Sequence, residues 1–115
     1  MPKRGTTPIQ EEMLQGTLDV LILRVIEHEP MHGWAIAQRI GQMSNDVLRV
    51  GQGSLYPALH KLEQQGLIRA TWGESENNRR AKFYRLTRAG RTALEREAAQ
   101  WQRLSVAISL VVNPT

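Results

Sequence analysis

The apolar positions of this chain change period once, from helical to extended, and that change organises it. In residues 17–29, Leu18, Leu21, Ile22, Val25 and Ile26 recur at the i, i+3, i+4, i+7, i+8 spacing of one buried helical face. Val20 and Leu23 make a second side apolar, which predicts a central core helix. Gly16-Thr17 supplies its N-cap, Asp19 suits its first turn, and Pro30 stops it. Met31-His32-Gly33 reads as a turn, with His32 capping a second helix over residues 33–43. The inner face of that helix is Ile36, Ile40 and Met43. Ser44-Asn45-Asp46 ends it with turn chemistry, and residues 47–50 form a short β-prone link. A third helix opens at Gly51-Gln52-Gly53-Ser54 and reaches Gln65, burying Leu55, Leu59 and Leu62. Pro57 is assigned to its first turn, where a missing N–H costs little, and Gly66 is its C-cap.

After Gly66 the period becomes 2. Residues 67–72 and 82–86 read as two strands of a hairpin, joined by a polar loop at 73–80 that ends in Arg79-Arg80. Thr87 then caps a last helix running to about Val112, closed by Asn113-Pro114. The expected class is mainly α with a small β-hairpin wing (α+β): a winged helix-turn-helix plus a C-terminal dimerisation helix. The boundaries are an N-terminal arm over 1–12, the winged helix-turn-helix over 13–87 and the dimerisation helix over 88–115. Residues 9–14 form a short helix or a lead into the next one.

Composition sharpens this picture. The chain of 115 residues is 41% hydrophobic, ordinary for one folded domain, and its net charge is +4. The distribution says more than the total: Arg79, Arg80, Lys82, Arg85, Arg88 and Arg91 fall in one stretch with no acid. With no cysteine, disulfides, thiolate metal sites and cysteine nucleophiles are excluded. No apolar run reaches the roughly 18 residues of a membrane span, and the basic N-terminus lacks a signal-type apolar stretch, so a cytoplasmic location is expected.

Helix, helix, helix, basic hairpin, helix is an order suited to duplex DNA. A recognition helix enters the major groove by its N-terminal end. Here that end offers Gln52, Ser54, Tyr56, His60 and Lys61 opposite the inner leucines. Gln can read adenine with two hydrogen bonds, and hydroxyls can hold phosphate. Arg79, Arg80 and Lys82 on the hairpin would follow the neighbouring backbone or minor groove. Each of these has a plainer reading: Tyr56 as packing, Gln52 and Ser54 as caps, the arginines as a solvated loop.

Several blocks carry a resemblance. Gly16-Thr17-Leu18-Asp19, Met31-His32-Gly33-Trp34, Gln52-Gly53-Ser54-Leu55-Tyr56-Pro57-Ala58-Leu59, the run from Trp72 to Arg80, and Tyr84-Arg85-Leu86-Thr87 stand in an order that resembles PadR-like transcriptional regulators. The match is nearest to their compact branch with a single C-terminal dimerisation helix and spans residues 12–104. The resemblance implies a dimeric repressor on a short palindrome, often at its own promoter, with Tyr56, the start of the third helix and the wing basics on DNA. It also implies Tyr84 and Leu86 in the hairpin core.

The last helix argues for a dimer independently. Leu94, Trp101 and Ile108 are seven apart, with Ala98, Leu104 or Ser105, and Val111 or Val112 between them. A symmetric partner would cover that seam and set two recognition helices about 34 Å apart. Trp101 is either dimer core or, paired across the axis, a wall for a small aromatic effector. Trp34 and Trp72 are assigned to domain core or hairpin anchoring. His28, His32 and His60 lack ligand spacing, so no metal or cofactor is expected. Glu74 and Glu76 are wing-shaping charges, and Gly51-Gln52-Gly53 lacks the third glycine of a dinucleotide site. No nucleophile triad is present, which argues against an enzyme. The alternative function is a winged-helix protein-interaction module without specific DNA binding.

Overall fold

The computed structural model describes residues 17–115; the expected arm over 1–12 and helix over 9–14 lie outside them. Helix α1 spans Leu18–Val25, buries Leu18, Ile22 and Leu23, and sits centrally as its two apolar sides predict. It ends four residues earlier than expected. The Ile26 and Glu27 amides fold back on Ile22 and Arg24, and the residues ahead of Pro30 leave the helical region. Arg24 donates to Glu27 at 2.7 Å, and that hydrogen bond holds the Glu27 carboxyl below the usual carboxylate range.

Residues 31 and 32 are not a turn. They form β1, Met31–His32, which pairs antiparallel with a strand more than fifty residues later: Met31 lies opposite Tyr84 and His32 opposite Phe83. Helix α2, Gly33–Met43, follows at once. His32 is both strand residue and N-cap, its Nδ1 accepting the Ala35 amide at 3.4 Å. Ile36 and Ile40 face the core as expected, but Met43 does not: at the helix end it passes beyond the core and stays exposed. Asn45 and Asp46 take the left-handed conformation (φ 54° and 63°), and the Asp46 amide returns to the Gly41 carbonyl.

Helix α3 is Gln52–Gln64, anchored by Leu55, Leu59 and Leu62, all 1% exposed or less. Pro57 lies in its second turn rather than its first. The bond it removes is the one to the Gly53 carbonyl, which sits on an exposed residue where water can replace it. Gly66 (φ +76°) closes α3 in a Schellman arrangement, with Gly66 donating to Glu63 and Leu67 to Leu62.

Strands β2, Ile68–Glu74, and β3, Arg80–Leu86, pair in register from Ile68 opposite Leu86 to Glu74 opposite Arg80. The sheet order is β1-β3-β2. The wing is longer and its loop shorter than expected, 75–79 in place of 73–80, because the ladder continues through polar residues that project into solvent. Helix α4, Arg88–Val112, is capped by Thr87, whose Oγ1 accepts the Gly90 amide at 3.0 Å. One core joins α1, α2, α3, β1–β3 and the start of α4, including Ile68, Tyr84, Ala93 and Leu94.

Candidate nucleic-acid interface

The leucine face of α3 is buried, so its opposite side is presented outward. Gln52, Gly53, Tyr56 and His60 are exposed there, and Ser54 is half-buried. The N-cap position is Gly51, which has no side chain to close the first turn. An uncapped first turn directs backbone N–H groups and the positive end of the helix outward, the geometry that attracts phosphate. Tyr56 has elements of both expected roles. Its ring lies so close over Gly33 that a Cβ there would meet the hydroxyl at 2.6 Å, yet 44% of the residue is exposed.

Lys61 departs from the expected set. Its ammonium is 2.7 Å from Asp19, so it ties α3 to α1, while half of its side chain stays exposed. The wing cations differ: among the described residues, Arg79, Arg80 and Lys82 carry no ion pair at salt-bridge distance. Their charge is available to a polyanion.

Between α3 and the wing runs an open cleft of about 850 Å³. One wall is His32, Trp34, Tyr56, His60 and Glu63; the other is Trp72, Arg80, Lys82 and Tyr84. Burial holds the Tyr84 hydroxyl above the usual phenol range, with Glu63 and Tyr56 adding to the effect, so it stays neutral. Of the two places open to Trp34 and Trp72, domain core and hairpin anchor, the core is ruled out, since they are 59% and 58% exposed. Both stand just past the point where an apolar face leaves the body, so they line the cleft.

His32 links the cleft's two sides. Its Nδ1 accepts the Ala35 amide at 3.4 Å, and its Nε2 lies 3.4 Å from the Glu76 carboxylate of the wing loop. Its ring stacks near Trp34 and meets Phe83 edge-on at 5.3 Å. The Glu76 contact spans from the wing loop to the start of α2.

The C-terminal seam divides in two. Leu94 is 1% exposed and belongs to the chain's own core, where α4 packs along α1. It is therefore not a surface for a partner. Ala98 is half-buried, and Trp101, Leu104 and Ile108 are exposed on the projecting half of the helix. A shallow groove on that half, lined by residues such as Arg103, Val106 and Leu110, does not include Trp101. Among the described residues, no helix is long and apolar enough to cross a membrane, and no three His, Cys, Asp or Glu side chains gather as for a metal.

A recognition helix packed on a two-helix base, flanked by a cationic wing, defines a winged helix-turn-helix DNA-binding regulator of transcription. A model of the transcriptional regulator PadR-like family matches residues 22–96. The chain belongs to the PadR-like family of transcriptional regulators. The transcriptional regulator Rv3488 of Mycobacterium tuberculosis is 33% identical over 94 residues, covering 82% of this chain and 84% of that protein. An uncharacterized 37.1 kDa protein in transposon TN4556 of Streptomyces fradiae is 43% identical over 93 residues, 81% of this chain but 25% of that longer protein. A PadR-like transcriptional regulator from Bacillus cereus shares the fold with a TM-score of 0.76 at 26% identity, covering 90% of this chain and 99% of that one. The relatives from Mycobacterium tuberculosis and Bacillus cereus are both transcriptional regulators.

Proposed function

We propose that the chain is a homodimeric repressor that occupies a palindromic operator in the cytoplasm. The observation that carries this reading is the cleft. Wing cations that form no ion pair among the described residues look across about 850 Å³ at Tyr56, His60 and Glu63 of α3. One DNA backbone would run between them, with Arg79, Arg80 and Lys82 on phosphates and Gln52, Ser54, Tyr56 and His60 toward the groove. The test is fluorescence anisotropy with the duplex upstream of its own gene at two salt concentrations. Tight, palindrome-dependent binding with a steep salt slope is expected. Equal, weak binding to every duplex overturns the reading and favours a protein-interaction module. Gln52→Ala is expected to relax discrimination at particular bases by about 1–3 kcal/mol each.

The dimer reading rests on the projecting half of α4, where Trp101, Leu104 and Ile108 remain half-exposed at seam spacing. A second copy of α4 would cover them. Leu104→Glu with Ile108→Glu is expected to give a folded monomer by light scattering, with operator affinity falling to that of a half-site. A dimer that persists in this variant overturns the assignment. A flat aromatic effector between the paired Trp101 rings would release the operator only by binding one spacing of the recognition helices better than the other.

A further inference from the structure

We propose that Trp72 is a positioning residue of the wing: its ring is the platform that fixes Arg80 and Lys82 as unpaired cations facing the recognition helix. The inference rests on the DNA-binding reading above and adds a residue and a mechanism to it. Three placements support it. Alternation along β2 puts Ile68, Ala70 and Trp72 on one face, and the register sets Trp72 opposite Lys82. Arg80, two residues from Lys82, is on that face as well. Near the body this face is buried through Ile68 and Tyr84. Farther out it becomes the cleft wall.

The contacts follow from that placement. The Arg80 guanidinium carbon is 4.8 Å from the centre of the Trp72 ring and the Lys82 ammonium 5.8 Å from it, both within cation–π range. A carboxylate is at hand, since Glu74 lies directly opposite Arg80 in the ladder, yet the two do not meet at salt-bridge distance. The difference matters to the function. A carboxylate would restrict Arg80 but neutralise it and occupy its N–H donors. A tryptophan face restricts it while leaving the full charge and taking none of its N–H donors as a carboxylate would. Two long, rotamer-rich side chains are thereby ordered before DNA arrives, which lowers the entropy cost of binding. The exposure of Trp72, anomalous for a core or anchor residue, is what such a platform requires.

The test compares the full-length protein with Trp72→Leu, Trp72→Phe, Arg80→Ala/Lys82→Ala, and Trp72→Leu added to that pair. Affinity is measured on the upstream duplex across a salt series. Side-chain proton shifts of Arg80 are read by NMR without DNA. Trp72→Leu is expected to weaken binding about three- to tenfold with an unchanged salt slope, because the charges remain. Trp72→Phe is expected to retain most of the affinity, and Trp72→Leu to add no loss once both cations are gone. In the free wild type the Arg80 protons are expected upfield through the ring current and to return in Trp72→Leu. Wild-type affinity in Trp72→Leu, an equal loss in the cation-free background, or an Arg80 spectrum without ring-current shift each overturns the platform. A wild type that binds no duplex refutes the DNA reading, while the Arg80 shift still reports on the ring contact.

Discussion

Gly90→Ala is expected to unfold a large fraction of the protein at temperatures where the wild type is intact. Alanine within a helix is normally the better residue by about 0.5–1 kcal/mol. Here the sign reverses. A Cβ at Gly90 would stand 2.0 Å from the Leu67 carbonyl oxygen, 2.8 Å from a Leu86 methyl and 3.0 Å from the Leu67 carbonyl carbon. The first of these groups cannot swing away. The Leu67 carbonyl accepts the Thr87 amide at 3.1 Å, and the single Thr87 hydroxyl proton is shared between the Gly66 and Leu67 carbonyls at 2.7 and 3.0 Å. This knot fastens the end of α3, the start of β2 and the start of α4. Relieving the clash means opening it. The expected cost is about 3 kcal/mol or more, and at roughly 4 °C per kcal/mol for a domain of this size the melting point should fall by about 10 °C or more. Gly53→Ala is the control, because a Cβ there meets nothing within 4 Å. A thermal melt in which the two variants match would refute the assignment of Gly90 as a close-approach glycine.

Much of this fold was legible in the apolar spacing. The inner leucines of α3, the isoleucines of α2 and the caps at His32, Gly66 and Thr87 all follow from local chemistry. What escaped depends on distant partners. β1 is two residues long, too short for any period, and exists because Tyr84 and Phe83 pair with it from the far end of the domain. Seven-residue spacing cannot tell a face covered by the same chain from one awaiting another, so Leu94 looked like Trp101 and Ile108. Only the path of α1 separates them. Lys61 was grouped with the polar face of α3, but Asp19, forty-two residues earlier, engages it. For Trp34 and Trp72 the residue type alone leaves domain core and hairpin anchor open, and neither is buried. Both line the cleft between α3 and the wing, and in the sequence each stands beside a glycine, Gly33 or Gly73.

Removing all three wing cations, Arg79→Ala, Arg80→Ala and Lys82→Ala, should have the largest effect on DNA binding with the least effect on the fold. Each phosphate contact contributes about 0.9 to the slope of log affinity against log salt, so three such contacts should lower its magnitude by about 2.7. Near physiological salt the affinity loss should be on the order of a hundredfold or more, and similar for operator and unrelated duplexes, because phosphates carry no sequence. The melting point should hardly change, since all three residues are exposed and none forms an ion pair at salt-bridge distance among the described residues. Lys61→Ala gives the contrast. It breaks the 2.7 Å link to Asp19 and should leave the salt slope nearly as it was. Gln52→Ala should change which bases are preferred and not the slope. A triple variant with a wild-type slope would take the wing off the DNA. A slope change paired with lost sequence preference would mean that the wing reads bases as well as phosphates, so the two readouts together locate specificity in α3 or move it to the hairpin.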